Sequence, residues 1–439
     1  MSFDLTTLGE YAAIQGGFAY KSQDFIAEPG VPVLKIKNIR QGFVEYSNPS
    51  YVSEQVARST VKWFTTPGDV LISMTGSGPS APDSLVGRVA RVWEHEPRAL
   101  INQRIGRLRL REECEIDQDF LFYLLCQKQI QDLLVTNSTG SANQVNISSK
   151  TIEAIPCPRI DFIESSEVAD FLNTFERRIR LLRETNATLE AIAQALFKSW
   201  FVDFDPVRAK MEGRAPEGMI DATAALFPDG FKESALGLVP RGWRVGKLVD
   251  LANLNPESWT ARNQPARIAY IDLANTKDNE ITSVTNYVFD EAPSRARRVL
   301  RTGDTIVGTV RPGNRSFAFI HEPTENLTGS TGFAVLRPSA VESTEFVFLA
   351  ATQDASIEHL SHVADGGAYP AVRPDVVAGL QCVIPDTSAM NAFHAVVEPL
   401  LVNVSENQKQ AQTLATLRDT LLPRLISGAL RLPHSEEIK

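Results

Sequence analysis

The sequence has little cysteine and no long apolar run. Its four cysteines, Cys114, Cys126, Cys157 and Cys382, are scattered and form no Cys-x-x-Cys pair, the spacing that zinc and redox sites use. We therefore expect reduced, mostly buried thiols in a cytoplasmic protein. The start, MSFDLTTLGEY, lacks the basic and apolar regions of a signal peptide. No apolar stretch approaches the length of a membrane span, so we expect no membrane partner.

Catalytic signatures are missing as well. The sequence has no glycine-rich motif for nucleotide phosphates, no nucleophile elbow, no metalloprotease motif and no tetrapeptide for amino methylation. His359 and His362 stand three residues apart on a predicted helix and could in principle hold a metal ion, but a plain surface or core role is the commoner use of such a pair. We predict no catalytic residue, no metal site and no cofactor in this chain.

Positive charge is scarce overall but locally concentrated. The net charge of -9 argues mildly against a simple nucleic-acid binder. However, residues 88–111 hold seven arginines against two glutamates, and residues 291–315 hold six arginines against two acids. Two basic islands in an acidic chain suit a protein that binds a polyanion at two places. The alternative is that both are ordinary solvated strand faces.

The chain repeats itself after roughly 225 to 240 residues. Each half contains a matching first segment, an alternating strand, a Gly-Asp turn before an apolar strand, a helical stretch and an end with one cysteine, Cys157 or Cys382. The paired segments are TLGEYAAI (7–14) with KLVDLANL (247–254), VLKIKNI (33–39) with IAYIDLA (268–274), PGDVLISMTGSG (67–78) with TGDTIVGTVRPG (302–313), 119–135 with 345–361, and 148–158 with 373–385.

Each half ends in a long helical stripe of apolar residues with the spacing of a coiled-coil seam. We predict that the seam consists of Ile179, Leu182, Leu189, Ile192 and Leu196 in the first helix and of Val404, Asn407, Leu414, Leu417 and Leu421 in the second. A lone polar Asn407 could set the register. The favoured interpretation is that the two helices pair. The alternative is that each stripe packs only on its own domain.

These patterns predict an α+β fold with two duplicated domains, each followed by a long helix. The predicted segments are a first domain (1–158), a first helix (159–204), a linker (205–242), a second domain (243–385), a second helix (386–430) and a tail (431–439). Trp200, Phe201 and Phe204, near the end of the first helix, either contact a partner or close the base of the second domain.

Three long segments carry a family resemblance. They are LFKSWFVDFDPVRAK (196–210), LFPDGFKESALGLVPRGW (226–243) and ENQKQAQTLATLRDTLLPRLISGAL (406–430). The chain resembles, over essentially its whole length, the DNA specificity subunits of type I restriction–modification systems. TGSANQVNISSKTIEAIPCP (139–158) and GGAYPAVRPDVV (366–377) look like the ends of its two target-recognition domains.

The resemblance implies a non-catalytic DNA-binding subunit. Each domain would read one part of a split, asymmetric sequence in double-stranded DNA, and the helices would form an antiparallel coiled-coil spacer. Two methyltransferase subunits and motor–nuclease restriction subunits would be its partners. DNA methylation and cleavage, with S-adenosylmethionine, ATP and Mg, would belong to those partners.

The residue types that read DNA suggest candidate contacts, because Arg and Lys suit guanine, Asn and Gln suit adenine, and hydroxyl groups suit phosphate. In the first domain the candidates are Lys35, Lys37, Asn38, Arg40, Ser77, Asn102, Gln103, Arg104, Ser141, Asn143 and Gln144. In the second they are Arg311, Asn314, Arg315, Ser330, Thr331, Tyr369 and Arg373. For each of them an ordinary surface or turn role is the alternative.

Two other functions stay open at this point. A duplicated coiled-coil scaffold that binds only proteins would have negligible affinity for DNA even at low salt. An enzyme with an unrecognised site, such as a nuclease, would cut DNA by itself in the presence of a metal ion.

Overall fold

A computed structural model describes residues 3–27, 30–78, 86–112, 114–141, 144–367 and 369–433. The chain divides into two compact units, residues 1–179 with 413–439 and residues 180–412. Each long helix therefore contributes to both units. The predicted domains, residues 1–158 and 243–385, leave out the long helices, whereas the two units include them. The predicted boundaries therefore stay predictions.

The described part of the first unit is built on β-sheets covered by short helices. Its larger sheet has the strand order Ala12–Gly16, Ile105–Leu110, Val70–Ser73, Val89–Arg91 and Gly42–Phe43. The other strands are Leu100–Ile101, Val31–Leu34, Ser50–Val52 and Phe25–Ile26 in one sheet, Thr139–Ser141, Gln144–Asn146 and Thr75–Gly76 in another, and Leu5–Thr7 paired with Pro156–Pro158. The short helices are Leu8–Tyr11, Ser22–Asp24, Ile36–Asn38, Glu54–Ser59, Val61–Trp63, Gln118–Cys126, Lys128–Thr136 and Ser149–Glu153.

The second unit has the same kind of architecture. Its two main sheets have the orders Ala252–Leu254, Phe333–Pro338, Asp304–Gly308, Phe317–Ile320 and Thr285–Val288, Arg267–Ile271, Leu327–Ser330, Ala296–Val299. The paired strands outside them are Arg244–Lys247 with Gln381–Ile384, Phe231–Ser234 with Gly237–Pro240, and Thr276–Lys277 with Glu280–Ile281. The short helices are Asp205–Met211, Asp221–Ala225, Leu248–Asp250, Leu273–Asn275, Phe289–Glu291, Pro312–Asn314, Val341–Ser343, Thr344–Thr352, Asp354–Val363 and Pro374–Ala378.

The duplication predicted from the sequence is confirmed by strand register. Leu108 pairs with Ile14 in the first unit as Leu336 pairs with Leu254 in the second. One correction applies to the segments 33–39 and 268–274. Ile101 pairs in parallel with Leu34, whereas Gly329 pairs in parallel with Ile271, so the true correspondence is shifted by two residues from the sequence alignment.

The first long helix spans Phe162–Phe201 and the second spans Thr387–Ile426. Each is preceded by an aspartate whose side-chain oxygen accepts a hydrogen bond from a backbone N–H of the first turn, Asp161 from Glu164 (2.8 Å) and Asp386 from Ala389 (2.9 Å). Such bonds satisfy amide groups that the helix itself leaves unpaired. Gly428, with φ of +74°, follows the second helix, as expected for a helix end.

The two long helices pair in antiparallel orientation, as predicted. Within the second unit, Asn186 Nδ2 donates to Val404 O (3.1 Å) and Asn407 Nδ2 donates to Asn186 Oδ1 (2.9 Å). Phe197 packs on Phe393. Residue numbers therefore rise along one helix as they fall along the other.

The predicted seam is wrong at two positions. Ile192 is 44% exposed and Leu417 is 47% exposed, so neither lies in the helix contact. Ile179, Leu182 and Val404 are buried. The other predicted seam residues are partly buried, namely Leu189, Leu196, Asn407, Leu414 and Leu421.

An aromatic cluster closes the base of the second unit. Trp200, Phe201 and Phe204 are all buried. Phe201 lies 4.8 Å from Phe393 and 5.7 Å from Trp243 between ring centroids. Such contacts between rings stabilise beyond simple burial. The alternative in which these side chains close the domain base is confirmed, and residues 205–242, predicted as a linker, contain short helices and a hairpin.

Candidate functional site

A buried aspartate holds the central strands of each unit. Asp69 follows Gly68, is 2% exposed and pairs with Arg107 (3.0 Å) and Arg109 (3.3 Å) of the neighbouring strand. Asp304 follows Gly303, is fully buried and pairs with Arg337 (2.7 Å). Each carboxylate also accepts a bond from the backbone N–H three residues earlier. A buried charge is tolerated only when it is paired in this way.

These pairs change the interpretation of the two basic islands. In the first island, Arg88 and Arg107 are buried, and Arg91 pairs with Asp119 at 2.8 Å. In the second, Arg295 pairs with Asp272 and Arg301 pairs with Glu257 at 2.9 Å. Many of these arginines are therefore used inside their own unit. Part of the positive charge of each island is therefore neutralised by acids of its own unit, and binding of a polyanion by the rest stays a prediction.

Three separate segments meet at one edge of the first unit, which we call the first edge. It consists of residues 74–76, 102–104 and 144–147. Met74 N donates to Arg104 O (2.9 Å), and Ile147 N donates to Met74 O (3.0 Å). Val145 pairs with Gly76 in antiparallel register. The exposed side chains of Gln103, Arg104 and Gln144 lie on this edge.

The second unit has an equivalent edge, the second edge, made of residues 309–311, 330–332 and 369–372. Thr309 N donates to Gly332 O (2.8 Å), and Val372 N donates to Thr309 O (2.9 Å). These two bonds correspond one for one to those of the first edge. The guanidinium of Arg311 lies 4.7 Å from the centre of the Tyr369 ring, and Tyr369 is 71% exposed. A cationic and an aromatic side chain are thus presented together.

The predicted DNA-contact residues divide into two groups by exposure. Those that are exposed or partly exposed are Lys35, Lys37, Arg40, Gln103, Arg104, Gln144, Arg311, Asn314, Arg315, Thr331, Tyr369 and Arg373. Those that are buried are Asn38, Ser77, Asn102 and Ser330. The side chain of Ser141 and the whole of Asn143 lie outside the described residues.

Members of the buried group form hydrogen bonds within their own unit. Asn38 Oδ1 accepts from Lys35 N (2.9 Å), and Asn38 Nδ2 donates to Glu45 O (2.8 Å). Ser330 Oγ accepts from Gly332 N (3.2 Å). Because these side chains do not face solvent, their prediction as direct DNA contacts is corrected. Contacts by the exposed group stay predictions.

Some exposed candidates already have partners. Arg40 Nε lies 2.6 Å from Glu45 Oε2, and Arg315 pairs with Asp278 and with Asp354 (2.7 Å). Lys35 Nζ lies 3.8 Å from the centre of the Phe25 ring. Partial burial, together with the nearby Lys37, lowers the pKa of Lys35.

Arg295 was not singled out as a contact by sequence reasoning. Its backbone carbonyl accepts a hydrogen bond from Thr331 N (2.7 Å), which places it beside the second edge. Its Nε donates to Tyr270 Oη (3.1 Å). The signal was present in the second basic island, but only the fold shows which arginine of that island adjoins the edge.

The described residues offer no group of three or more His, Cys, Asp and Glu side chains suited to a metal ion. The four cysteines are free thiols, and burial raises the pKa of Cys157 to about 12. In the part of the chain that the structure covers, we find no helix both long and apolar enough to cross a bilayer.

Comparison with known proteins finds similarity to type I DNA specificity proteins. Residues 2–191 match the family model of the type I restriction modification DNA specificity domain. The chain is 22% identical over 318 residues to the type I restriction enzyme MjaIX specificity subunit of Methanocaldococcus jannaschii, covering 72% of this chain and 69% of that protein. It is 24% identical over 371 residues to the HindI specificity subunit of Haemophilus influenzae, covering 71% of this chain and 77% of that one.

A solved structure shows the same fold. It is the S subunit of a type I restriction–modification system from M. genitalium, with a TM-score of 0.53, 15% identity and coverage of 97% of this chain and 96% of that chain. The match to the type I DNA specificity domain is confined to residues 2–191, which is less than half of the chain. The chain as a whole is similar to type I specificity subunits, which confirms the resemblance found in the sequence.

Proposed function

We propose that this chain reads a split, asymmetric sequence in double-stranded DNA, one part with each domain, through the first and second edges. The paired helices set the gap between the parts. The observation that carries the proposal is that two equivalent edges, each assembled from three distant segments, present Arg, Gln and Tyr side chains. These are the groups that hydrogen-bond to base edges or stack on them.

The same proposal assigns the chemistry to partners. Two methyltransferase subunits and motor–nuclease subunits assemble on the chain in the cytoplasm. S-adenosylmethionine, ATP and Mg act in those subunits, and the chain itself performs no catalysis. This assignment is supported by the similarity to type I specificity subunits.

The proposal is tested by mapping methylated adenines with long-read sequencing. Cells that carry the chain and its candidate methyltransferase partner are compared with cells that lack only the chain. We expect one split, asymmetric motif that disappears with the chain. If the complex assembles but no motif appears, the scaffold interpretation replaces the proposal. Direct binding to duplex DNA at low salt then separates a protein scaffold from an inactive DNA reader.

A further inference from the structure

A two-residue turn links the second edge to both long helices. Asp278 and Asn279 connect the strands Thr276–Lys277 and Glu280–Ile281. Both have left-handed backbone conformations, with φ of 46° and 65°, and Asn279 is 7% exposed. Left-handed residues other than glycine are uncommon, and two in succession require support from their surroundings.

Asn279 has hydrogen bonds to three separate elements. Its Nδ2 donates to Glu190 Oε1 of the first long helix (2.6 Å), and its carbonyl accepts from Gln408 Nε2 of the second long helix (2.9 Å). Its Oδ1 accepts from Phe319 N (2.8 Å) in the strand Phe317–Ile320. The residue therefore joins the sheet of the second unit to both helices.

Asp278 continues this connection to the loop of the second edge. Its backbone N–H donates to Arg315 O (2.9 Å), and its carboxylate pairs with the Arg315 guanidinium. Arg315 ends the turn Pro312–Asn314, which begins after Arg311, and both arginines have positive φ, 60° and 47°.

Strain is concentrated in this region. Of the seven non-glycine residues with positive φ in the described chain, four lie in the Asp278–Asn279 turn and at the ends of the Arg311–Arg315 loop. Strained backbone persists where surrounding contacts determine it, and it is often found where position matters for function. At the equivalent position the first unit has Gly42, with φ of 93°, which has no side chain to form such a clamp.

We propose that Asn279 is a positioning residue for DNA recognition: it fixes the Arg311–Arg315 loop relative to the long helices and thereby sets how strictly the second domain reads its part of the target. This inference rests on the proposed function. It concerns the part of the recognised sequence that the second domain reads, because Gly42, at the equivalent position of the first unit, has no side chain.

The test uses Asn279→Asp in the full chain, coexpressed with the methyltransferase partner. Aspartate tolerates the left-handed conformation and keeps an acceptor for Phe319 N, but it places a carboxylate against Glu190. Because burial raises the pKa of Glu190, purified complexes are assayed at about pH 8 to favour its charged form. Asn255→Asp is the matched control. Asn255 also has a positive φ, 48°, and its Oδ1 accepts from Val335 N (3.0 Å) within the sheet.

The readout is methylation at sites that differ from the target by one base pair, relative to methylation at the target. We expect discrimination at one half of the motif to fall about tenfold, the scale of one base contact. The other half should stay as strict as in the unmodified chain. Adding Glu190→Gln to the Asn279→Asp variant should restore discrimination, because the glutamine amide can donate a hydrogen bond to the introduced carboxylate.

The outcomes separate this inference from the proposed function. Absence of any motif with the unmodified chain overturns both. A motif that the Asn279→Asp variant reads as strictly as the unmodified chain overturns the inference alone. Equal loss at both halves, not restored by Glu190→Gln, also overturns it, because that result indicates general unfolding.

Discussion

We expect Arg311 of the second edge to contact DNA. Its backbone N–H donates to Pro370 O (2.7 Å), and its guanidinium lies over the Tyr369 ring, so the arginine is held in place. We expect Arg311→Ala to weaken binding of the target duplex about tenfold or more, since a base-contacting arginine contributes about 1–3 kcal/mol. Fluorescence anisotropy measures the effect.

The control is Arg241→Ala, which removes an exposed arginine from the hairpin region of the same unit, where its Nε lies 3.4 Å from Phe231 O. Equal losses of DNA affinity from both variants would show that binding depends on total positive charge and not on the position of Arg311. No loss from Arg311→Ala would exclude the residue from the interface.

Glu345 predicts a pH dependence of stability. Its side chain is 3% exposed and lies 2.6 Å from His394 Nδ1, and burial raises the pKa of this carboxyl above its ordinary 4.5. Between the ordinary pKa, which applies to the unfolded chain, and the raised pKa of the folded chain, Glu345 holds a proton when folded that it has released when unfolded. The stability contributed by Glu345 must therefore fall as pH rises through this window.

Thermal unfolding of the unmodified chain and of Glu345→Gln, from about pH 5 to about pH 8, tests this sign. Glutamine does not titrate, so we expect the melting temperature of the variant, relative to the unmodified chain, to rise with pH. A constant difference between the two would contradict the assignment of this titration to Glu345.

At the scale of elements, the second long helix contains both buried and exposed leucines. Leu401 is 2% exposed in the helix contact of the second unit, whereas Leu417 is 47% exposed. Placing a charge at a buried apolar position costs several kcal/mol, while most surface substitutions change stability by less than about 0.5 kcal/mol. Leu401→Glu should therefore unfold or strongly destabilise the chain, and Leu417→Glu should not.

Circular dichroism melting of the isolated chain distinguishes the two variants. A large drop in the melting temperature of Leu417→Glu would show that Leu417 does belong to the seam. An unchanged melting temperature in Leu401→Glu would show that the helix contact contributes little to stability.

The helices also show what a hydrophobic pattern can and cannot predict. The stripe correctly indicated two paired helices, but it misplaced Ile192 and Leu417. An ideal helix drifts by about 20° per seven residues against a strict coiled-coil repeat. Over a 40-residue helix this drift moves some stripe positions out of the contact, and only the three-dimensional register shows which ones. Beside the exposed Ile192, the neighbouring Ala193 is buried instead.

Prediction of the strands from sequence has a comparable limit. An alternating arginine pattern in 105–110 does not show which arginines point inward. Arg107 is fully buried because Asp69, distant in sequence, lies opposite it. The two edges likewise depend on segments far apart in sequence. Sequence reasoning could nominate Arg104, Gln144, Arg311 and Tyr369 from residue type, but it could not show which candidates share an edge.

For the molecule as a whole, the internal repeat was the most informative feature of the sequence. It correctly predicted two units with the same order of elements, because turns and strands recur at matching positions. Residues 205–242 differed from expectation. They were predicted as a linker, but Phe227, buried next to Trp200, packs part of this segment on the aromatic base of the second unit.

Duplication predicts how the salt dependence of DNA binding should scale. The net charge of -9 leaves no general attraction to DNA, so binding should depend on local phosphate contacts at each edge. Every phosphate that is neutralised releases counterions, and the logarithm of the binding constant falls with the logarithm of salt concentration by about 0.9 per contact. A duplex that spans both target parts should therefore give about twice the slope of a shorter duplex that contains one part. Equal slopes would mean that only one unit engages DNA, and binding without salt dependence, or no binding, would favour the scaffold interpretation.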